Sequence, residues 1–189
     1  MTRKEQKDKR RIDILYKGLE LFTKKGYKAT KITDIADELN MSVGLLFHYF
    51  KSKEDLYYEL VSLGVNTLNK PIDIDNISPI DYLSNFVKEL FNAVKSDINM
   101  ARMFILMPEA QKEGTPKRVR DLALKVNIID LFIPLIIKGQ VDGSIKDGNP
   151  KVLSNAFFRS IYAICEGYAL DTSIDLPYYN CIIDIIRRY

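Results

Sequence analysis

The chain has 189 residues, of which 47% are hydrophobic and 28% are charged, so it is long enough to bury a substantial core. The first ten residues lack the apolar segment of a secretory signal, and the most apolar stretch, residues 126–137, is much shorter than the roughly 20 apolar residues of a membrane span. Two cysteines without CxxC spacing indicate a reducing compartment, so we expect a cytoplasmic protein that binds no membrane.

The net charge of +3 is distributed unevenly along the chain. Residues 1–53 hold 13 Lys/Arg against 7 Asp/Glu, a balance of +6, whereas residues 54–189 hold 15 against 18, a balance of −3. A basic first quarter joined to a mildly acidic remainder indicates that one end of the chain meets a polyanion.

Strand signals are scarce, and apolar residues recur with the 3.6-residue period of helices almost everywhere, which predicts an all-α fold of about nine helices. The first helix carries an apolar stripe and ends at Gly26. A second, short helix follows over about residues 32–39, and Ser42 caps a third by accepting from the backbone N–H of Gly44 or Leu45. A fourth helix begins at Ser52. The predicted stripe of the first helix is Ile12, Leu15, Leu19 and Phe22.

After a loop over residues 71–79, a helix is predicted from about 79 to 95, with Tyr82, Phe86, Leu90 and Val94 on one face. A shorter helix over residues 99–108 precedes a long one that runs to about Lys138 and is kinked at Pro134. Asn149 and Pro150 open the next helix, which reaches about Asp171. A last helix follows Pro177.

The second and third helices, joined by a tight turn at Asn40 and Met41, form a predicted helix-turn-helix. In that motif the second helix enters the major groove of DNA. Leu46 and Phe50 are expected to face inward, and Val43, Gly44, Phe47 and His48 to face outward. A missing side chain at Gly44 would let the backbone approach a phosphate.

The residues ITDIA at 32–36 and SVGLLFHYFKSKEDL at 42–56 resemble the DNA-binding signature of the tetracycline-repressor (TetR) family. That signature has an I-A pair in its second helix, then S-x-G-x-(L/I)-(Y/F)-x-(H/Y)-F, then K-E-x-L. The resemblance covers about residues 9–57. Asn40 stands where the family usually has glycine, and Leu45 and Phe47 lack hydroxyl groups that the family often has at these positions.

The resemblance implies a DNA-binding domain over residues 1–51 and an effector-binding and dimerisation domain over residues 52–189. It also implies double-stranded, palindromic operator DNA as a partner. The DNA contacts that it implies are Thr33, Ser42, Val43, Gly44, Leu45, Phe47, His48, Tyr49 and Lys53.

Catalytic and metal-binding chemistry has little support in the residues. His48 is the only histidine, and neither cysteine is near it in sequence, so a zinc site is not expected. Cys165 lies in an apolar helix and is interpreted as a core residue rather than a nucleophile. We therefore predict a protein that is not an enzyme and uses no cofactor.

A set of aromatic, methionine and arginine residues in the central helices has two interpretations. The apolar members either form the core or line the effector cavity of the family, and the two arginines either anchor an anionic ligand or reach solvent along their stems. The effector would then be hydrophobic or amphipathic, because polar hydroxyls would lack partners. The candidates are Phe86, Leu90, Arg102, Met103, Phe104, Met107, Phe158, Arg159 and Tyr162.

The last two helices carry more apolar surface than one face of a helix needs, which indicates burial on two sides. A stripe of small residues in residues 150–171 permits close approach of another helix, so these helices are predicted to form a homodimer interface. Burial within one subunit is the alternative. The interface candidates are Ala156, Ser160, Ala163, Gly167, Tyr178, Ile182, Ile185 and Tyr189.

The function predicted from these patterns is a ligand-responsive, sequence-specific transcriptional regulator, a homodimeric repressor that a small molecule releases from its operator. Two alternatives remain open. A small α-helical enzyme would not bind DNA at low salt, and a DNA-binding protein without an effector would have a solid core in place of a cavity.

Overall fold

The computed structural model describes residues 2–68, 76 and 78–189 of the chain. They form two compact units, one made of residues up to Thr67 together with Arg102–Lys125, the other made of Leu68–Ala101 together with Val126–Tyr189. Most of the loop predicted over residues 71–79 lies outside the described residues. In the described part of the chain no helix has the length and apolarity that a membrane span requires.

Unit 1 contains the first three helices and the fourth as far as Thr67, and short-range capping is found at several of their starts. Thr2 and Glu5 form a reciprocal capping box at the start of α1, and Gly26, with φ of 79°, interrupts α1 near its end. Ser52 Oγ accepts from the backbone N–H of Asp55 at the start of α4, as the sequence predicts. The helices are α1 (Arg3–Ala29), α2 (Ile32–Glu38), α3 (Val43–Phe47) and α4 (Lys53–Leu68).

The rest of unit 1 consists of α6 (Ile98–Ala110) from Arg102 onward and α7 (Lys117–Ala123). Helices α1 and α4 approach closely at Gly18, where a Cβ would lie 2.9 Å from Leu56 Cδ2. The buried stripe of α1 contains Ile14, Leu15, Leu19 and Phe22, whereas Ile12 is 47% exposed. The expectation that Ile12 faces the core is therefore wrong, because the buried side of α1 is centred on Gly18 and Phe22 and Ile12 lies at its edge.

Unit 2 contains α5 (Pro79–Ser96), the first turn of α6, α8 (Ile128–Leu131), α9 (Ile133–Val141), α10 (Pro150–Leu170) and α11 (Tyr179–Ile183). Its core is rich in aromatic rings: the Phe132 and Phe158 centroids are 4.8 Å apart, and Phe86 lies 5.5 Å from Phe132. The Phe132–Phe158 pair is edge-to-face, and ring contacts of this kind favour one packing of the helices that carry them. The all-α prediction is confirmed over the described residues.

One long helix ending near Lys138 was expected, but three separate helices, α7, α8 and α9, occupy this stretch. The Asn127 side chain accepts from the backbone N–H of Ile129 and thereby starts α8 anew. Pro134 lies in the first turn of α9, where its missing N–H costs no hydrogen bond, so it does not kink a helix.

Val94 of the predicted stripe of α5 is buried, but the rest of the buried stripe is displaced from the predicted one. Leu83 and Val87 are fully buried, whereas Phe86 and Leu90 are half-buried. A helical period is visible in the sequence, but neighbouring positions such as 86 and 87 are both apolar, and packing decided between them.

The last helix is shorter than expected, because α11 ends at Ile183. Ile182, Ile183 and Ile186 are buried within unit 2, where α11 packs against α5. Burial within one subunit, the alternative to a dimer interface, therefore accounts for Ile182, whose burial requires no partner.

Candidate nucleic-acid interface

The turn between α2 and α3 has the geometry that a helix-turn-helix requires. Asn40 adopts the left-handed conformation, with φ of 50°, and the Met41 N–H donates to the Ala36 carbonyl over 3.0 Å. Asparagine tolerates this conformation better than most residues, which explains how it replaces the usual glycine. Ser42 Oγ then accepts from the Leu45 N–H over 3.2 Å and caps α3, as predicted.

The orientation of α3 matches the sequence prediction. Leu46 and Phe50 are 0% and 3% exposed, while Phe47 is 45% exposed and both Gly44 and His48 are exposed. Among the remaining predicted DNA contacts, Thr33 and Ser42 are exposed, and Val43, Leu45, Tyr49 and Lys53 are half-buried. These residues lie along α3 and the first turns of α2 and α4, and their contact with DNA stays a prediction.

Gly44 has no role in the packing of its own chain. A Cβ built at this position meets no atom within 4 Å, and its φ lies outside the left-handed range that favours glycine. Glycine in a helix is less stable than alanine by roughly 0.5–1 kcal/mol. The fold alone therefore offers no reason for glycine here, whereas close approach of a partner's backbone does.

The structure changes the interpretation of Lys53. Its ammonium donates to the carbonyls of Tyr27 and Thr30 over 2.8 and 2.7 Å and lies 4.2 Å from the centroid of the Tyr27 ring. Burial lowers the pKa of Lys53 below its ordinary value. Lys53 thus joins the start of α4 to the end of α1, and its contact with a phosphate stays a prediction.

Arg11 joins three parts of unit 1, a role that the sequence did not indicate. Its guanidinium forms a bidentate ion pair with Glu59 of α4 and lies 4.9 Å from the centroid of the Phe50 ring, just beyond α3. Bidentate arginine–carboxylate pairs have fixed geometry. Because the partners are separated by 48 residues, no local pattern could have revealed the contact.

A second polar cluster surrounds Glu20. Its carboxylate pairs with Lys17 and Lys24 of α1 at 2.9 and 2.7 Å and with Arg102 of α6 at 3.5 Å. Burial by itself would raise the pKa of Glu20, but the hydrogen bonds from Lys24 and Lys17 and the charge of Arg102 outweigh it and lower the pKa to about 2. Arg102, predicted as a ligand anchor, therefore has a carboxylate of its own chain beside it.

The predicted effector residues are divided between the two units. Arg102, Met103, Phe104 and Met107 belong to unit 1, and Met107 is packed against Gly64 of α4. The members in unit 2 are Phe86, Leu90, Phe158, Arg159 and Tyr162.

Of the unit 2 candidates, Phe158 is 3% exposed and packed among other rings, and Arg159 is exposed. The exposure of Arg159 agrees with the alternative in which it reaches solvent. Its position on α10 places it on the side that the small residues occupy.

An open cleft of about 460 Å³ lies along α5 within unit 2. Tyr82 and Phe86 supply two aromatic rings to it, and Asp81 and Glu89 supply two carboxylates. Its other lining residues are Asn76, Ser78 and Asn85. Of the predicted set, Phe86 borders this cleft.

Two observations bear on nucleophilic catalysis and on metal binding. Cys165 is buried, and burial raises the pKa of its thiol to about 12, so at neutral pH it is protonated and a poor nucleophile. Within the described ranges no group of three or more His, Cys, Asp and Glu side chains is placed to hold a metal ion.

The predicted dimer residues of α10 share one side of that helix. Ala163 is exposed, Ala156, Ser160 and Gly167 are half-buried, and a Cβ at Gly167 meets no atom within 4 Å. The Ser160 hydroxyl donates to the Ala156 carbonyl of its own helix over 2.9 Å. The same side carries Val152 and Leu170, which are 63% and 72% exposed. Among the candidates after α10, Tyr178 and Tyr189 are exposed and Ile185 is half-buried.

The sequence of this chain matches those of known proteins, and the match includes the helix-turn-helix. Residues 14–60 match the family model described as bacterial regulatory proteins, tetR family. The HTH-type transcriptional repressor KstR2 of Rhodococcus jostii is 38% identical over 157 residues, which cover 81% of this chain and 76% of that protein. The chain therefore belongs to the tetR family of bacterial regulatory proteins.

Solved structures share the fold. The MbdR regulator from Azoarcus sp. CIB superposes with a TM-score of 0.75 at 20% identity, over 92% of this chain and 94% of that one. The ketosteroid transcriptional regulator KstR2 of Mycobacterium tuberculosis gives 0.68 at 20% identity, over 95% and 96%. Family membership and the helix-turn-helix geometry together make this chain a DNA-binding transcriptional regulator.

Proposed function

We propose that this regulator is a homodimeric repressor, which binds a palindromic operator in the cytoplasm and leaves it when a hydrophobic or amphipathic molecule binds unit 2. The observation that carries the DNA-binding part is the exposed side of α3, where Gly44, Phe47 and His48 lie together and the chain's own packing does not require the glycine. Residues 1–51 would bind DNA, and residues 52–189 would hold the effector and the partner subunit.

The substitution Gly44→Ala separates a DNA contact from a folding role. Alanine should stabilise the free protein by roughly 0.5–1 kcal/mol, because a helical glycine is replaced without any clash. It should weaken binding about tenfold to a duplex that the wild-type chain selects from a random pool, since the added methyl group holds the DNA backbone away. Thermal unfolding and fluorescence anisotropy measure the two effects. A Gly44→Ala variant that binds as well as wild type would remove Gly44 from the interface.

The dimer proposal rests on the exposed side of α10. Small residues there let two helices approach, and Val152 and Leu170 supply apolar area at either end. A two-fold axis near Ala163, relating antiparallel copies of α10, would place Arg159 level with Glu166 of the partner subunit, and both side chains are exposed in the single chain.

A charge exchange tests this register. Arg159→Glu and Glu166→Arg should each weaken the dimer by placing like charges opposite one another, and the double variant should restore it. Analytical ultracentrifugation measures the dissociation constant. Gly167→Leu should give monomers whose stability is unimpaired, since space around Gly167 is open. Dimers that survive all of these changes would contradict the α10 interface.

The effector proposal rests on the α5 cleft. Two rings favour an apolar body, and two carboxylates with no arginine among the lining residues favour a neutral or cationic molecule over an acid. KstR2, one of the similar proteins, is described as a ketosteroid regulator, and ketosteroids are largely apolar. This similarity supports the hydrophobic character of the effector.

Release of operator DNA provides the effector assay. Lipophilic cations, neutral steroids and fatty acids should be compared at equal concentration, with the shift in melting temperature as a second measurement. Asp81→Asn with Glu89→Gln should reduce the response to cations only, and Asp130→Asn, on α8, serves as the control. Release by fatty acids alone, unaltered in the double variant, would contradict this assignment.

A further inference from the structure

The first three turns of α1 carry an unusual arrangement of basic residues. Residues 3–11 hold six Lys/Arg and two Asp/Glu, and residues 2–10 are all exposed. The capping box of Thr2 and Glu5 makes this segment the helical continuation of α1 rather than a loose tail. From Arg3 to Arg10 it extends roughly 10 Å.

The basic side chains lie on the side of α1 that becomes the buried side further along. At about 100° per residue, Arg3, Lys7 and Arg10 fall within roughly a sixth of the helix circumference, and Ile14 and Gly18 continue the same line. Ile14 is fully buried and Gly18 packs against α4. An amphipathic helix would continue this line with apolar residues or end, whereas this chain extends it with cations.

This arrangement is unfavourable for the isolated helix. Positive charges in the first turns oppose the helix dipole, and like charges three or four positions apart, such as Arg3 with Lys7 and Lys7 with Arg10, repel each other. Within the described part of the chain, none of these three residues takes part in an ion pair. An external polyanion would relieve both effects.

The position of Arg11 relates the basic segment to the helix that is proposed to bind DNA. Its guanidinium lies over Phe50, three residues beyond the end of α3, so the basic extension begins beside the C-terminal end of α3. DNA carries one negative charge per about 1.7 Å of helix axis, so an extension of roughly 10 Å spans several phosphates. We propose that Arg3, Lys7 and Arg10 form a helical ledge that contacts backbone phosphates of the DNA flanking the half-site read by α3.

This inference rests on the proposed DNA binding by α3 and adds a contact outside it. The ledge would carry no sequence preference, because phosphates are the same in every sequence. It would lengthen the required duplex and steepen the dependence of affinity on salt.

The test compares two triple variants with equal loss of charge. Arg3→Gln/Lys7→Gln/Arg10→Gln removes the ledge, and Lys9→Gln/Lys88→Gln/Lys95→Gln removes three exposed lysines elsewhere, Lys9 lying on the opposite side of the same helix turn. Glutamine and the basic residues have similar helix propensity, which circular dichroism verifies. The probe is a duplex selected by the wild-type chain from a random pool.

For the ledge variant, the slope of log K against log salt should fall by about 2.7 per bound subunit, at roughly 0.9 per lost contact. The control variant should keep the wild-type slope. Trimming the flanks of the duplex should weaken wild type and control and leave the ledge variant nearly unaffected.

Equal slopes for the two triple variants would overturn the ledge. A ledge variant that binds DNA as the wild type does, but has lost the wild-type binding to phosphatidylglycerol vesicles, would also overturn it. Failure of the wild-type chain to select any duplex would instead overturn the proposed function. The two failures are therefore distinguishable.

Discussion

The two units of this regulator are held together internally in different ways. In unit 1, polar side chains link the helices. Lys53 at the start of α4 donates hydrogen bonds to the end of α1, and Glu20 of α1 forms an ion pair with α6. In unit 2 the central contacts are between rings and branched aliphatic side chains, such as Phe132 with Phe158. Unit 1 should therefore respond to charge and pH, and unit 2 to the shape of single side chains.

Two helical glycines illustrate the contrast in packing. A Cβ at Gly139 in unit 2 would lie 2.5 Å from Ile145 Cδ1 and 2.6 Å from Ile145 Cγ1, and a Cβ at Gly64 in unit 1 would clash with Met107 Sδ. Isoleucine has few allowed rotamers, whereas methionine has three flexible torsions. Adding a Cβ at Gly139 should therefore lower the free energy of unfolding more than adding one at Gly64.

The largest effect is expected for Gly139→Ala. The fully buried Ile145 has no room to move away, so we expect the free energy of unfolding to fall by about 2–3 kcal/mol. Urea denaturation measures it. Ile145→Val, which removes the Cδ1 atom, should recover part of the loss in the double variant. A smaller loss of unfolding free energy for Gly139→Ala than for Gly64→Ala would contradict this contrast in packing between the two units.

Lys53→Met should cost about 1–2 kcal/mol, because two charge-assisted hydrogen bonds to the end of α1 are lost while the apolar stem is kept. Lys51→Met, at an exposed neighbouring position, is the control. If the third N–H of Lys53 binds a phosphate, as the sequence predicts, the salt slope of DNA binding also falls by roughly 1. An unchanged slope would leave Lys53 with the structural role alone.

Gly64→Ala should have a smaller cost, about 1 kcal/mol, because the Met107 side chain can adopt another rotamer. Combining it with Met107→Ala should remove the clash, so the two substitutions should not add in a double-mutant cycle. Strict additivity would show that the two residues do not meet.

The smallest effect concerns pH. Because the folded pKa of Glu20 is about 2 and its ordinary value is 4.5, the stability from its ion pairs is present above the ordinary pKa and disappears as pH falls toward 2. Glu20→Gln should therefore flatten the decline in unfolding free energy between about pH 5 and pH 2. Asp37→Asn, an exposed change in the same unit, gives the reference curve. A Glu20→Gln variant that keeps the wild-type acid decline would show that these pairs contribute nothing.

Much of the candidate DNA interface was predictable from sequence because its determinants are local. The Ser42 cap involves residues three positions apart, the turn depends on the tolerance of Asn40 for positive φ, and the inward side of α3 follows from the four-residue spacing of Leu46 and Phe50. Likewise, the small residues of α10 are spaced to share one side of a helix, and they do so.

The sequence predictions of the buried side of α5 and of the length of the last helix were wrong because more than one local pattern fitted the sequence equally well. In α5, both stripes were apolar, and the choice of Leu83 and Val87 over Phe86 and Leu90 for the core depended on which helices packed there. The length of the last helix was overestimated because its isoleucines suit a helix end to end, yet the chain leaves the helix at Ile183 to bury Ile186.

The sequence by itself determined the all-α class, the helix-turn-helix and the outward side of α3, since helix periodicity and capping operate within about four residues. Only the tertiary structure decided that Lys53 meets the end of α1, that Arg102 meets Glu20, and that Arg159 is exposed. These outcomes depend on where helices cross, and a crossing brings together residues that are far apart in the chain. A charged side chain takes the partner that the crossing offers, because an unpaired charge near the core is costly.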